Sequence, residues 1–165
     1  YENKLELPEG FIENLQLYLD IGTHWRKKTG THIEIRSGMV NFSTVGREAS
    51  PALREAYSKW DAINREREDI VDYIRGIYPE FEVSIGGQIS VDIYPAGKNK
   101  SQVVDKIREI HGPDTSMVFV GDRNVPGGND WPLAQRLENI DGSEWFQVLS
   151  YEETRALIEY SELFI

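Results

Sequence analysis

Phosphoryl-transfer chemistry needs carboxylates to hold a cation and fixed positive charge to hold phosphate, and this chain offers both in two short stretches. Ser84–Lys100, SIGGQISVDIYPAGKNK, alternates so that Ser90 and Asp92 fall on one face of a strand, and then delivers Lys100 at the start of a helix. Val118–Asp130, VFVGDRNVPGGND, ends an apolar strand in Gly121-Asp122 and returns through Pro126-Gly127-Gly128 to Asn129-Asp130. Ligands of open parallel sheets bind beyond the carboxyl ends of the strands. Magnesium is commonly held there by one or two carboxylates, waters and phosphate oxygens. Asp122 is therefore the candidate magnesium ligand, with Asn129 and Asp130 completing or orienting its surroundings. Unpaired amides at a helix start favour an anion, so Lys100 is placed to act as a point charge on a transferring phosphoryl group.

Arg36, Arg47 and Arg54 supply forked, permanently charged groups suited to a phosphate. Asn41, Ser90 and Asp92 supply hydrogen-bonding groups suited to sugar hydroxyls. Ordinary outward-facing alternation would give the same spacing of Ser90 and Asp92. The three histidines show no metal-ligand spacing, and no Ser-His-Asp set, phosphate-binding P-loop or dinucleotide motif is present. Gly86-Gly87 joins two strands and opens no helix.

The net charge of −10 over 165 residues argues against a general nucleic-acid or anionic-membrane surface. Within that acidic chain, Arg26, Lys27, Lys28, Arg36, Arg47 and Arg54 face only Glu34 and Glu48 between residues 26 and 54. Such a stretch suits a small anionic ligand, although charge alone more often marks a solvated surface. Cysteine is absent, which excludes disulfides and thiolate metal sites. No apolar run is long enough to span a bilayer.

The elements that must position these residues can be read from periodicity. Pro8–Asp20 reads as a helix with Phe11, Leu15, Tyr18 and Leu19 on one face. Thr31–Arg36 and Met39–Ser43 read as a hairpin around Ser37-Gly38, pairing Ile35 with Val40 and Ile33 with Phe42. Its other face, expected to be wet, carries His32, Glu34 and Arg36 beside Asn41 and Ser43. Ser50-Pro51 caps a helical stretch reaching about Ile77, with a possible break near Tyr57–Ser58 and a buried stripe of Trp60, Ile63, Ile70, Val71, Ile74 and Ile77. Phe81–Ile85 and Ile89–Tyr94 form a second hairpin; a three-residue loop aligns Ile85 with Ile89 and Val83 with Val91. Beyond Pro95-Ala96-Gly97 come a helix from about Lys98 to His111, a buried strand Ser116–Val120, a short helix, a strand Trp145–Leu149 and a final helix. That alternation implies parallel strands in an α/β layer.

Three blocks in order, KTGTHIEIRSGMVNFSTVGR (28–47), SIGGQISVDIYPAGKNK and VFVGDRNVPGGND, resemble the eukaryotic-type phosphomannomutases of the haloacid dehalogenase superfamily, and the likeness runs over essentially the whole chain. The resemblance implies an α/β fold: an α+β cap of two strand pairs with helices on one face (residues 1–95), then the C-terminal half of a Rossmann-like core (residues 96–165). It implies interconversion of mannose 6-phosphate and mannose 1-phosphate through an aspartyl-phosphate, with Mg2+ and a hexose bisphosphate activator. Carried over by position, Arg36, Arg47 and Arg54 bind the distal phosphate; Asn41, Ser90 and Asp92 contact substrate; Lys100 neutralises the reacting phosphoryl group; and Asp122, supported by Asn129 and Asp130, holds the metal. Glucose phosphates remain open as substrates, because they present similar hydroxyls. The family also implies a homodimer through the cap, a cytoplasmic location and a place in mannose metabolism leading to GDP-mannose, with no nucleic-acid or membrane partner.

Two departures stand out. The family's nucleophile and acid/base lie in an Asp-x-Asp segment, and no Asp-x-Asp occurs here. The chain begins with Tyr and reads as a C-terminal fragment or one chain of a split enzyme, with a separate segment supplying that pair. A further cation site expected after Asp130 meets Trp131–Arg136, and arginine cannot ligate a cation. A sugar-phosphate phosphatase on the same scaffold, and a non-catalytic sugar-phosphate-binding or dimerisation module, are the alternatives.

Overall fold

The computed structural model describes residues 4–160, divided between two compact units that meet in the sequence at Lys98 and Asn99. The fold is mixed α/β. No helix of the described residues is long and apolar enough to cross a membrane.

The first unit is built on an antiparallel sheet of four strands, β1 (Ile33–Arg36), β2 (Met39–Ser43), β3 (Phe81–Gly86) and β4 (Ser90–Pro95), in the order β1-β2-β4-β3. Its apolar face carries Val40, Phe42, Val83, Val91 and Ile93. Against them pack α1 (Phe11–Leu17) through Phe11 and Leu15, and α3 (Glu66–Ile77) through Ile70, Val71 and Ile74. The β1–β2 register is the expected one, with Ile33 opposite Phe42 and Ile35 opposite Val40.

Several local expectations need correction. The first helix starts at Phe11 and ends in a π-helical turn, Tyr18–Gly22. That wider turn frees the Leu19 carbonyl, which accepts from Thr23 Oγ1 (2.7 Å) and from Lys28 Nζ. The long helix breaks at Arg65, not near Tyr57: α2 (Pro51–Asn64) gives way to α3 through a left-handed residue at φ 59°. The break turns Ile63 outward, 82% exposed, and leaves Ile77 exposed at the helix end, while Tyr57 is fully buried. A buried pair, Arg67 Nε to Asp61 Oδ2 at 2.6 Å, closes the break, and Arg67 Nη1 also donates to the Gly87 carbonyl at 2.9 Å.

The second hairpin is slipped by two residues from the expected alignment. Ile85 pairs with Val91 and Val83 with Ile93. Ile89 leaves the ladder because a second apolar cluster takes it, where it is buried with Val45, Ala49 and Tyr57 against Trp25, Leu53 and Trp60. A slip of two preserves the facing of every side chain, so Ser84, Ser90 and Asp92 still share one face.

The second unit pairs β5 (Val118–Gly121) with β6 (Glu144–Gln147) in parallel. Val104 of α4 (Val103–His111) and Leu133 and Leu137 of α5 (Trp131–Leu137) meet Ile140 in a small core, with Met117, Phe119 and Trp145 at its edge. β5 was expected to be buried. It is not: Val118 is exposed and the remaining strand residues are half-buried. Two strands cannot cover each other's faces, which is the physical reason. The last element of the described residues is α6 (Tyr151–Tyr160).

Candidate functional site

The polar face of the four-stranded sheet is organised by register. Glu34 pairs with Asn41, Asn41 with Asp92, and Asp92 with Ser84, so one polar row crosses all four strands. Asn41 Nδ2 donates to Asp92 Oδ1 at 2.7 Å. Gly86 makes room for that carboxylate, because a Cβ there would lie 2.6 Å from Asp92 Oδ2. This face was expected to be wet, and at its centre it is not. Asn41, Ser43, Ser84 and Ser90 are all buried. β2 and β4 are the inner strands, so short polar side chains on them are flanked on both sides. Ser43 Oγ donates to Ile89 O at 2.9 Å and Ser90 Oγ to Gly86 O at 3.3 Å. Asn41 Oδ1 is buried with no hydrogen-bond partner among the described residues. A buried carbonyl without a donor is costly in a closed protein and ordinary in a ligand site.

Two of the three arginines meet at the edge of this face. Arg36, at the end of β1, is hydrogen-bonded to Glu34, and Arg47 Nε lies 3.4 Å from the same carboxylate. Arg54 reaches from α2 to the loop that bears Arg47, donating to the Ala49 carbonyl at 2.9 Å and to the Arg47 carbonyl. That loop is further pinned by Arg47 N to Thr31 O at 2.8 Å and by Thr31 Oγ1 to Glu48 Oε1 at 3.1 Å. Arg36 and Arg47 thus present guanidinium groups to one point, while Arg54 braces the loop. Glu34 was not anticipated. Its carboxyl is held below the usual carboxylate range, first by the Arg36 hydrogen bond, with desolvation opposing it and the charges of Arg36 and Arg47 adding to the lowering. The signal was present as a Glu-x-Arg spacing that puts both charges on one strand face.

In the second unit, Lys100, Gly121, Asp122 and Asp130 line a pocket of about 420 Å³ together with Ser150, Tyr151 and Thr154 at the start of α6. Lys100 opens a single 3-10 turn, Lys100–Gln102, which precedes α4 and is capped by Asn99 Oδ1 accepting from Ser101 N at 3.0 Å. Lys100 Nζ is paired with Asp130 Oδ1, and Asp130 Oδ2 accepts from Arg123 N at 3.1 Å. Asp130 is buried, so these bonds satisfy an otherwise costly charge. Asp122 is exposed at the mouth of β5 and faces the same pocket. Asn129 does not line it. Asn124, which the sequence did not single out, is buried beside them; it donates to Phe146 O at 2.9 Å and leaves Oδ1 without a partner among the described residues. Gly121 admits this crowd, since a Cβ would fall 2.7 Å from Asn124 Oδ1 and 2.8 Å from Asp130 Oδ2.

The carboxylates fit magnesium in part. Among the described residues no group of three or more His, Cys, Asp or Glu is arranged to hold a metal. One exposed aspartate backed by a buried one suits a cation whose other ligands are waters and phosphate oxygens. Arg136 stands where a further cation was considered. It binds both carboxylate oxygens of Asp105, through Nη1 at 3.0 Å and through Nη2, and Nη1 lies 3.4 Å from the Ser101 carbonyl. A guanidinium therefore ties α5 to α4 and to the turn that carries Lys100.

Comparison with known proteins adds independent findings. The family profile described as eukaryotic phosphomannomutase matches residues 10–160. A phosphomannomutase of Solanum lycopersicum is 36% identical over 143 residues, 84% of this chain and 52% of the relative. One from Saccharomyces cerevisiae is 36% identical over 114 residues, covering 65% of this chain and 42% of its own length. One from Schizosaccharomyces pombe is 40% identical over 108 residues, 64% of this chain and 41% of the relative. The chain spans about half the length of the curated relatives it matches. Among solved structures, a mutant Plasmodium falciparum IMP-nucleotidase with IMP bound superposes with a TM-score of 0.50 at 15% identity, over 94% of this chain and 38% of that one. That likeness concerns the fold.

Proposed function

The chain belongs to the eukaryotic phosphomannomutase family of the haloacid dehalogenase superfamily, and from that premise we propose that it carries the sugar-phosphate grip and the metal-side carboxylate of a mutase acting on mannose 6-phosphate and mannose 1-phosphate. The observation that carries the reading is the convergence of Arg36 and Arg47 on one point beside the polar row of Asn41, Asp92 and Ser84, of which Asn41 and Ser84 are buried.

In this reading residues 1–95 form a cap and residues 96–165 part of the catalytic core. Arg36 and Arg47 hold the non-reacting phosphate, and Arg54 keeps the Arg47 loop in place. Asn41, Ser90 and Asp92 receive the sugar hydroxyls, and the unpartnered Asn41 carbonyl gains a donor when they arrive. Lys100 balances charge on the reacting phosphate, held by Asp130 at the pocket wall. Asp122 would hold Mg2+, which when bound neutralises phosphate charge, and Asp130 supports it; Asn129 is the weakest of the proposed residues, being outside the pocket lining. Transfer needs an in-line nucleophile. The 165 residues contain no Asp-x-Asp, so the nucleophile and the acid/base come from another segment, and a hexose bisphosphate activator phosphorylates that nucleophile. A cytoplasmic homodimer joined through residues 1–95, serving GDP-mannose formation, completes the proposal.

The test is to supply an Asp-x-Asp segment from a relative, in trans or fused before Tyr1, and follow mannose 1-phosphate with Mg2+ and activator. Mannose 6-phosphate should form. Free phosphate in its place favours a phosphatase, and a folded assembly that yields neither product overturns the reading.

A further inference from the structure

The residue that the proposed function leaves unused is Glu34. It sits at the edge of the polar row, hydrogen-bonded to Arg36 and 3.4 Å from Arg47 Nε, and all three side chains are 36–40% exposed. An ion pair so exposed contributes little to folding and is readily exchanged. Yet its partners are the two guanidinium groups to which a phosphate would bind. A carboxylate and a phosphate cannot both keep those donors, because each approaches them along the same forked geometry.

Resting on the proposed sugar-phosphate reading, we propose that Glu34 is an affinity-setting residue, a built-in counter-anion that the incoming phosphate must displace from Arg36 and Arg47. The exchange is selective by charge. A monoanionic acid that displaces Glu34 replaces one carboxylate with another and gains nothing. A phosphate dianion brings twice the charge and a third oxygen, so it wins the exchange and leaves Glu34 to turn into solvent. Glu34 therefore holds the cradle closed to weakly bound anions, sugar acids of similar size among them, at the cost of weaker phosphate binding than bare arginines would give.

The experiment is calorimetry on the 165-residue chain and its Glu34→Gln and Glu34→Ala variants, with mannose 6-phosphate and with mannuronate, its monoanionic analogue. Thermal unfolding checks that each variant is folded. Removal of one like charge at a solvent-exposed site should tighten mannose 6-phosphate binding about three- to tenfold in both variants. Mannuronate affinity should rise as well, by no more than the factor for mannose 6-phosphate, because both ligands displace the same carboxylate and its charge repels the dianion more. Unchanged or weaker binding of mannose 6-phosphate in both folded variants overturns the inference and makes Glu34 an organiser of the arginines, leaving the sugar-phosphate reading intact. A wild-type chain and variants that all fail to bind mannose 6-phosphate overturn both.

Discussion

The central strands of the two units differ in how deeply they are covered. In the first unit β2 and β4 lie between neighbours on both sides, with Val40, Val91 and Ile93 fully buried beneath α1 and α3. In the second, β5 has one neighbour and exposes Val118. The difference teaches where each set of candidate residues gets its rigidity. Asn41, Ser90 and Asp92 are fixed by sheet register and close packing. Lys100 and Asp122 stand on a 3-10 turn and a strand end, fixed by a few charged bonds through Asp130 and Arg136.

Substitutions in the two units should separate accordingly. The largest effect is expected at Arg67→Ala, which strands the buried Asp61 carboxylate and should cost about 3–5 kcal/mol in denaturant unfolding. Ile93→Ala, at the centre of the same sheet, should cost about 2–5 kcal/mol. A loss under about 1 kcal/mol at either position would mean that this unit is looser than its packing indicates.

Tyr57 sharpens the comparison through pH. Burial, followed by the neighbouring Glu66 and Asp61 charges, pushes its hydroxyl well above the ordinary tyrosine range. The folded state thus keeps the proton where the unfolded chain releases it. The contribution is complete below about pH 10 and is lost as pH rises above that. Tyr57→Phe should flatten this alkaline decline. It should also cost about 1 kcal/mol at neutral pH, because Glu66 loses the donor at 3.1 Å. An alkaline slope identical in wild type and variant would exclude Tyr57 as its source. The smallest effect is expected in the second unit, where Val118→Ala should change stability by no more than about 0.5 kcal/mol. A cost near that of Ile93→Ala would show that β5 is covered in solution.

Much of this was legible from the sequence where one signal acted alone. The Ser37-Gly38 turn set the β1–β2 register, since two residues leave one alignment that keeps Ile33 and Ile35 together. The β3–β4 register was misread because Ile89 looked like a strand residue, and its burial depends on Tyr57 and Val45, far away in sequence. The helix break at Arg65 was missed for a related reason: the buried Asp61–Arg67 pair that stabilises it is invisible to an apolar count. Lys100, Asp122 and Asp130 could be grouped from a strand end and a Gly-rich return, and the structure places them on one pocket. Asn124 could not be, because alternation describes a polar side chain without saying what it touches.

The most direct test of the central claim is the affinity of the isolated chain for mannose 6-phosphate, measured by calorimetry without Mg2+ on wild type, Arg47→Ala and Asp122→Asn. Loss of a guanidinium from the cradle should weaken binding by about tenfold or more, on the scale of a charge-assisted hydrogen bond, while Asp122→Asn stays within about twofold in the absence of the cation that Asp122 is proposed to hold. Equal affinity in wild type and Arg47→Ala would contradict the account, because the arginine pair would then hold no phosphate.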